Sequence, residues 1–255
     1  MHTRSFIFTL AFLVLALVPH TISAQNGKFY TRRVLLEDFP AKITKIVLSG
    51  DSMVDAVLRE EVRLRWNLSP YEFCTVDEYE SLKENVNYYF IHFVRAEGVV
   101  FLSLDKGGKK EDPDIRNRSF EVLSIPVSTA GTETMENLTY MPVFISLFQD
   151  FVNRAMVSDG KAYSGLAYYN IKDLFGKKVC IDADRAAEYF SQGQQGMLAG
   201  ILVKPASGAG SYCYKMLVSC DTQELFYYRK SKINDGEEAD WSKAEKKRFN
   251  GKSAE

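Results

Sequence analysis

The stretch Lys45–Val57, KIVLSGDSMVDAV, sets the reading of this chain. Its β-branched, apolar start reads as a buried strand. Gly50 supplies a sharp turn, and the residues after it open an amphipathic helix. Val54, Val57, Leu58, Val62 and Leu64 are apolar. Asp55, Arg59, Glu60, Glu61, Arg63 and Arg65 are charged. That periodicity predicts a helix over Asp51–Trp66 that packs one face on a sheet.

The order of signals on either side extends this unit. Ile43–Leu48 and Tyr71–Val76 read as strands, with one or two helical turns over Asp77–Asn85. Asn87–Arg95 and Val99–Leu104 read as a hairpin around Gly98. Phe120–Val127 is a further strand, and Pro126 marks it as an edge or an end. In Glu136–Val157, Phe144, Leu147, Phe148, Phe151, Val152, Ala155 and Met156 recur at helical spacing, and Pro142 fits the first turn. Lys178–Ile181 is a short strand and Asp182–Gln192 a helix with acids in its first turn. Leu198–Lys204, Tyr212–Ser219 and Glu224–Lys230 form a meander. The expected fold is α+β: a mixed, mainly antiparallel sheet with helices packed on it, plus the C-terminal meander. No internal repeat is evident.

Residues 1–24 read as a secretory signal peptide. Arg4 is positive, Phe6–Val18 is a 13-residue apolar run, and Ala24 precedes the expected cut before Gln25. The run is short for a membrane span, and no later segment is long and apolar enough for one. Cleavage takes 24 of the 255 residues and leaves 231, with Gln25–Lys232 as a single domain. Residues 233–255 are charged and hold few apolar groups besides Trp241 and Phe249, so they read as a disordered tail. Loss of Arg4 moves the formal net charge from −1 to −2. So small a charge gives no field to recruit nucleic acid. Export allows up to two disulfides among Cys74, Cys180, Cys213 and Cys220. Cys213 and Cys220 lie seven residues apart in one extended run, over ~20 Å, and cannot pair with each other. No cysteine or histidine spacing fits a zinc site, and no cofactor motif occurs.

The motif Gly50-Asp51-Ser52 resembles the first block of the GDSL/SGNH hydrolases. That resemblance implies a serine esterase with Ser52 as nucleophile. The mechanism needs a base. The family places it in a late Asp-x-x-His block and adds a Gly-x-Asn-Asp block for the oxyanion; this chain has neither. After the leader its one histidine is His92, inside the apolar run YYFIHFV. The residues themselves read as a helix cap, with Asp51 or Ser52 as the capping side chain.

Other arrangements are weaker still. Cys74 and His92 form no recognisable thiol–imidazole motif, and neither precedes a helix start that would lower a thiol pKa. Lys106–Asp114 lacks a phosphate-loop pattern, and its acids lack calcium-loop spacing. Ser207–Ser211, SGAGS, reads as a flexible turn. Tyr212, Tyr214, Tyr227 and Tyr228 are candidates for a ligand-binding face, as in a carbohydrate-binding or adhesion module, against plain cross-strand packing.

The strand–helix–strand start and the late YKMLVSCDTQELFYYRK pair are similar to the small α/β domains of bacterial envelope accessory proteins. These include the TolB amino-terminal domain, the curli-secretion protein CsgG and the lipoprotein activators of penicillin-binding proteins. That resemblance implies a non-catalytic binding or assembly role, with another envelope protein as partner and a periplasmic, outer-membrane-associated or secreted location.

Overall fold

The computed structural model describes residues 36–108, 121–132, 135–234 and 239–250. The expected leader, residues 25–35 and the acidic part of the 106–114 loop lie outside the described residues. In the remainder the strand–turn–helix reading holds. Strand β1 (Ile43–Val47) leads through Gly50 (φ +84°) into α1 (Ser52–Arg65). Strand β2 (Tyr71–Cys74) and α2 (Val76–Leu82) follow, then the hairpin of β3 (Tyr88–Ala96) and β4 (Val99–Lys106). Its two-residue turn, Glu97-Gly98, has positive φ at both positions, the type I′ geometry that matches strand twist. Strand β5 (Glu121–Thr129) completes a sheet in the order β2-β1-β3-β4-β5. Pro126 lies on the edge strand, beside a register shift, where its missing N–H costs no ladder bond.

Helix α3 (Met141–Val157) follows a 3₁₀ turn at Leu138–Tyr140, with Pro142 in its first turn. It buries nine residues, among them Phe144, Leu147, Phe148 and Phe151, so it is a core helix rather than a surface one. Short α4 (Asp159–Ser164) and a 3₁₀ segment, Gly165–Ile171, lead to β6 (Lys178–Cys180) and α5 (Ala183–Ser191). Strands β7 (Met197–Val203), β8 (Tyr212–Ser219) and β9 (Leu225–Lys232) pair antiparallel in succession. The meander is thus part of a second mixed sheet, β6-β7-β8-β9, rather than an appendage of the first.

The two sheets repeat one another. In the first, β1 pairs parallel with β3, and β3, β4 and β5 then run antiparallel. In the second, β6 pairs parallel with β7, and β7, β8 and β9 run antiparallel. Each first strand runs into a helix capped by an aspartate. Asp51 accepts from the Met53 and Val54 N–H groups, and Asp182 from Arg185 N–H. The first copy carries β2 and α2 as an insertion. The shared pattern, strand–Asp–helix, is too short and common to mark the repeat in the sequence.

One main core, including Ile46, Leu58, Ile91, Leu102, Phe144, Phe148, Ile201 and Met216, runs through both sheets and α3. A smaller one lies on the far face of the second sheet, where Leu198, Leu217, Tyr227, Trp241 and Phe249 cluster. Two of these, Trp241 and Phe249, come from the stretch read as a disordered tail. Residues Lys243–Asn250 form helix α6, which docks on that sheet. The aromatic anchors, 4% and 1% exposed, hold it there, with Glu245 seated beneath it. The composition of the stretch is charged, but Trp241 and Phe249 both pack on the sheet.

The SGAGS segment is likewise no free turn. Ala206 N–H donates to Gly98 O at 2.8 Å, so the β7–β8 loop rests on the β3–β4 turn. All four cysteines are free and buried. Cys180 pairs beside Ala199, and Cys220 N–H bonds Met197 O on the other side of β7. Two inter-strand spacings, ~10 Å, separate them, beyond the reach of a disulfide. Among the described residues no helix is long and apolar enough to cross a membrane.

Candidate functional site

At the Gly50 turn, Asp51 is the cap, with Oδ1 2.9 Å from Met53 N and 3.0 Å from Val54 N. Asp55 folds back to accept from Ser49 N (2.7 Å), Ser49 Oγ (2.8 Å) and Gly50 N (3.1 Å). Ser52 is the exposed first residue of the helix, and no imidazole lies within hydrogen-bond reach of it among the described residues. Asp51→Ala is therefore expected to cost about 1 kcal/mol of stability, and Ser52→Ala less than about 0.5 kcal/mol. Urea unfolding of the two variants measures this, and an equal loss in both would overturn the assignment.

His92 is committed elsewhere. Its Nε2 is 2.7 Å from Asp105 Oδ2, and Tyr79 stacks on the ring at 4.8 Å. Ser103 Oγ donates to the other oxygen of Asp105 at 2.7 Å, and Ser124 Oγ donates to Ser103 at 3.0 Å. The carboxylate stands between histidine and serine, so the imidazole cannot take the serine proton. This is the wrong order for a nucleophilic triad. The network instead satisfies polar groups where β3, β4 and β5 meet. Cys74 sits in a small core with Val47 and Phe90, and burial pushes its thiol up to about 11. It has no thiolate character at neutral pH.

The cavity that stands out is a cleft of about 480 Å³ between the two sheets. From the first sheet come the cross-strand partners Val94 and Phe101, with Glu121 and Ser124 on β5. From the second come Tyr214, Tyr228 and Lys230. Tyr214 is directly opposite Lys230 across the β8–β9 pair, so both project from one face. Phe101 and Tyr214 meet edge-to-face at 5.3 Å and join the sheets at the cleft floor. The segment Ala162–Ala167, with Tyr163 and Leu166 among small residues, closes a third side.

Desolvation dominates the electrostatics of this cleft. Burial raises the Glu121 pKa, and the charge of Asp105 adds to the effect, against a hydrogen bond from Ser124. Burial also holds the Tyr228 phenol well above its ordinary range and raises that of Tyr214. These phenols are therefore neutral hydrogen-bonding groups at physiological pH. Neither imidazole nor thiol lines the cleft.

Of the four tyrosines singled out from the sequence, three share this side of the sheet. Tyr214 and Tyr228 line the cleft, and the Tyr212 ring lies under the Lys230 ammonium at 4.2 Å. Tyr227 does not join them. It points to the opposite face, 5.9 Å from the Phe249 ring, and donates to Glu245 at 2.8 Å. The sequence reading missed Phe101, Glu121, Ser124 and Lys230. The alternation of Lys230 with Tyr228 along β9 was the available signal. Its placement beside Tyr214 needs the β8–β9 register, which a shift between Leu217 and Val218 sets. Among the described residues no group of three or more His, Cys, Asp or Glu is placed to hold a metal ion.

No known family model, curated protein or solved structure matches this chain.

Proposed function

We propose that the chain is an exported, non-catalytic binding protein of the bacterial envelope, and that the cleft between its two sheets holds the ligand. One observation carries the reading: an aromatic-walled cleft of about 480 Å³, within the size range of small-molecule sites, assembled from both halves of the fold. The walls supply stacking surface in Phe101, Tyr214 and Tyr228 and hydrogen-bonding groups in Ser124 and Glu121. Neither an imidazole nor a thiol lines it to activate or serve as a nucleophile. The same walls suit the small-ligand form of the carbohydrate-binding reading. The esterase reading has no comparable support, since among the described residues Ser52 caps nothing and contacts no base. Export rests on the leader-like residues 1–24.

The test uses protein recovered from the exported fraction, whose amino terminus is expected to be Gln25. A neutral aromatic probe, 1-naphthalenemethanol, is expected to raise the melting temperature in a concentration-dependent way. Val94→Trp, which fills the cleft from its half-buried wall, is expected to abolish that response. A fluorophosphonate is expected to leave Ser52 unlabelled. A stoichiometric adduct on Ser52, or a probe response untouched by Val94→Trp, would sink the reading.

A further inference from the structure

Lys230 gives the cleft a chemical preference. Its ammonium lies 4.2 Å from the Tyr212 ring centroid and 5.5 Å from that of Tyr214, and it is hydrogen-bonded to the Tyr214 side chain. Among the described residues it makes no ion pair. This contrasts with Lys45, Lys106 and Lys215, which each sit on a carboxylate. The aromatic rings orient the cation without neutralising it. It stands at the exposed rim of a cleft whose interior is apolar and aromatic. An unneutralised ammonium beside a stacking surface is the arrangement that recognises a planar body with an anionic group at one end.

We propose that the inter-sheet cleft binds a small aromatic carboxylate, its ring against Phe101, Tyr214 and Tyr228 and its carboxylate on Lys230. This rests on the cleft being the ligand site. Two further features fit an anion. The half-buried acid in the cleft, Glu121, is pushed towards its neutral form by desolvation, which lessens its repulsion of a carboxylate. The phenols of Tyr214 and Tyr228 stay protonated and can donate to it. The other acid of the lining, Glu97, sits in the exposed β3–β4 turn, where solvent screens it.

Three naphthalene probes of one size separate the contributions: 1-naphthoate, neutral 1-naphthalenemethanol and cationic 1-naphthalenemethylamine. Calorimetric titration of the mature chain is expected to give one naphthoate per chain, bound at least about tenfold tighter than the neutral probe. Lys230→Met keeps the stem over the tyrosines and removes the charge. It is expected to erase that tenfold difference and leave the neutral probe unaffected, while Lys230→Arg retains it. Unchanged naphthoate affinity in Lys230→Met overturns the proposal, as does tighter binding of the amine than of naphthoate. If all three probes bind alike and Val94→Trp abolishes them all, the cleft is the ligand site and the anion preference is wrong. If none binds, or Val94→Trp changes nothing, both readings fall together.

Discussion

Glu245→Gln is expected to lower the stability of the chain by about 3 kcal/mol, among the largest effects of any single polar substitution in it. Lys215 lies in the middle of β8, 3% exposed, with its ammonium 2.8 Å from Glu245 Oε2. The carboxylate also accepts from Tyr227 Oη (2.8 Å) and Ser242 N (2.8 Å). Glutamine keeps the shape and removes the charge, which leaves a buried ammonium without its counter-ion. For a domain of this size the loss corresponds to a melting temperature about 10 °C lower. The acid limb supplies an independent check. Burial pushes the Glu245 carboxyl up, but the bonds from Lys215, Ser242 and Tyr227 outweigh it and hold it at about 2, against 4.5 ordinarily. A depressed carboxyl contributes fully above its ordinary value and loses that contribution as pH falls towards the folded one. The stability curves of wild type and Glu245→Gln should therefore converge as pH drops from 4.5 towards 2. The double variant Lys215→Met, Glu245→Gln should recover much of the loss, because it leaves no buried charge unpaired while the amide oxygen can still accept from Tyr227 and Ser242 N. A single variant as stable as wild type at pH 7 would show that α6 is not docked on the sheet.

Gly210→Ala is expected to cost about 3 kcal/mol, although the backbone there needs no positive φ. A Cβ at Gly210 would fall well inside van der Waals contact with the Glu97 carbonyl oxygen and meet Pro205 Cβ at 3.0 Å. Across the same contact, a Cβ at Gly98 would lie 2.8 Å from both Ala206 N and Ala209 Cβ. The backbone of the β3–β4 turn and of the β7–β8 loop touch, and only glycine leaves room. Because the obstacle is backbone, relief requires the two sheets to part at that end. Ala96, Glu97 and Tyr214 line the cleft nearby, so probe binding should weaken together with stability. Gly208 provides the comparison. It has φ +73° and nothing within 4 Å of its would-be Cβ, so Gly208→Ala should cost only the backbone strain, about 1 kcal/mol. Denaturant unfolding of the two variants ranks them. Equal losses would mean that the inter-sheet contact carries no weight.

Glu245 and Gly210 both lie in stretches whose local sequence says little about their packing. On its charge, the stretch from residue 233 reads as a tail. Yet Ser242-Lys243-Ala244-Glu245 is a capping-box sequence: Ser242 N donates to Glu245 Oε2 and Glu245 N to Ser242 Oγ. The same spacing at Thr75 and Glu78 starts α2. That signal was present in the chain, and net charge masked it. The glycines of SGAGS gave no such clue. Their role depends on which loop lies across from them, and nothing local records that.

What the chain determined by itself is its string of elements. Apolar periodicity marked α1 and α3, β-branched runs marked the strands, and Gly98, Pro126 and Pro142 sit where local stereochemistry requires them. Each of these follows from interactions within a few residues. Tertiary structure alone decided that the strands form two repeated sheets rather than one. It also turned Tyr227 away from Tyr214 and Tyr228, and it set Lys230 beside an aromatic cleft. Those outcomes depend on strand register and on contacts between residues far apart in the chain. A one-residue change of register reverses which side chains share a face, so no local pattern could have carried them.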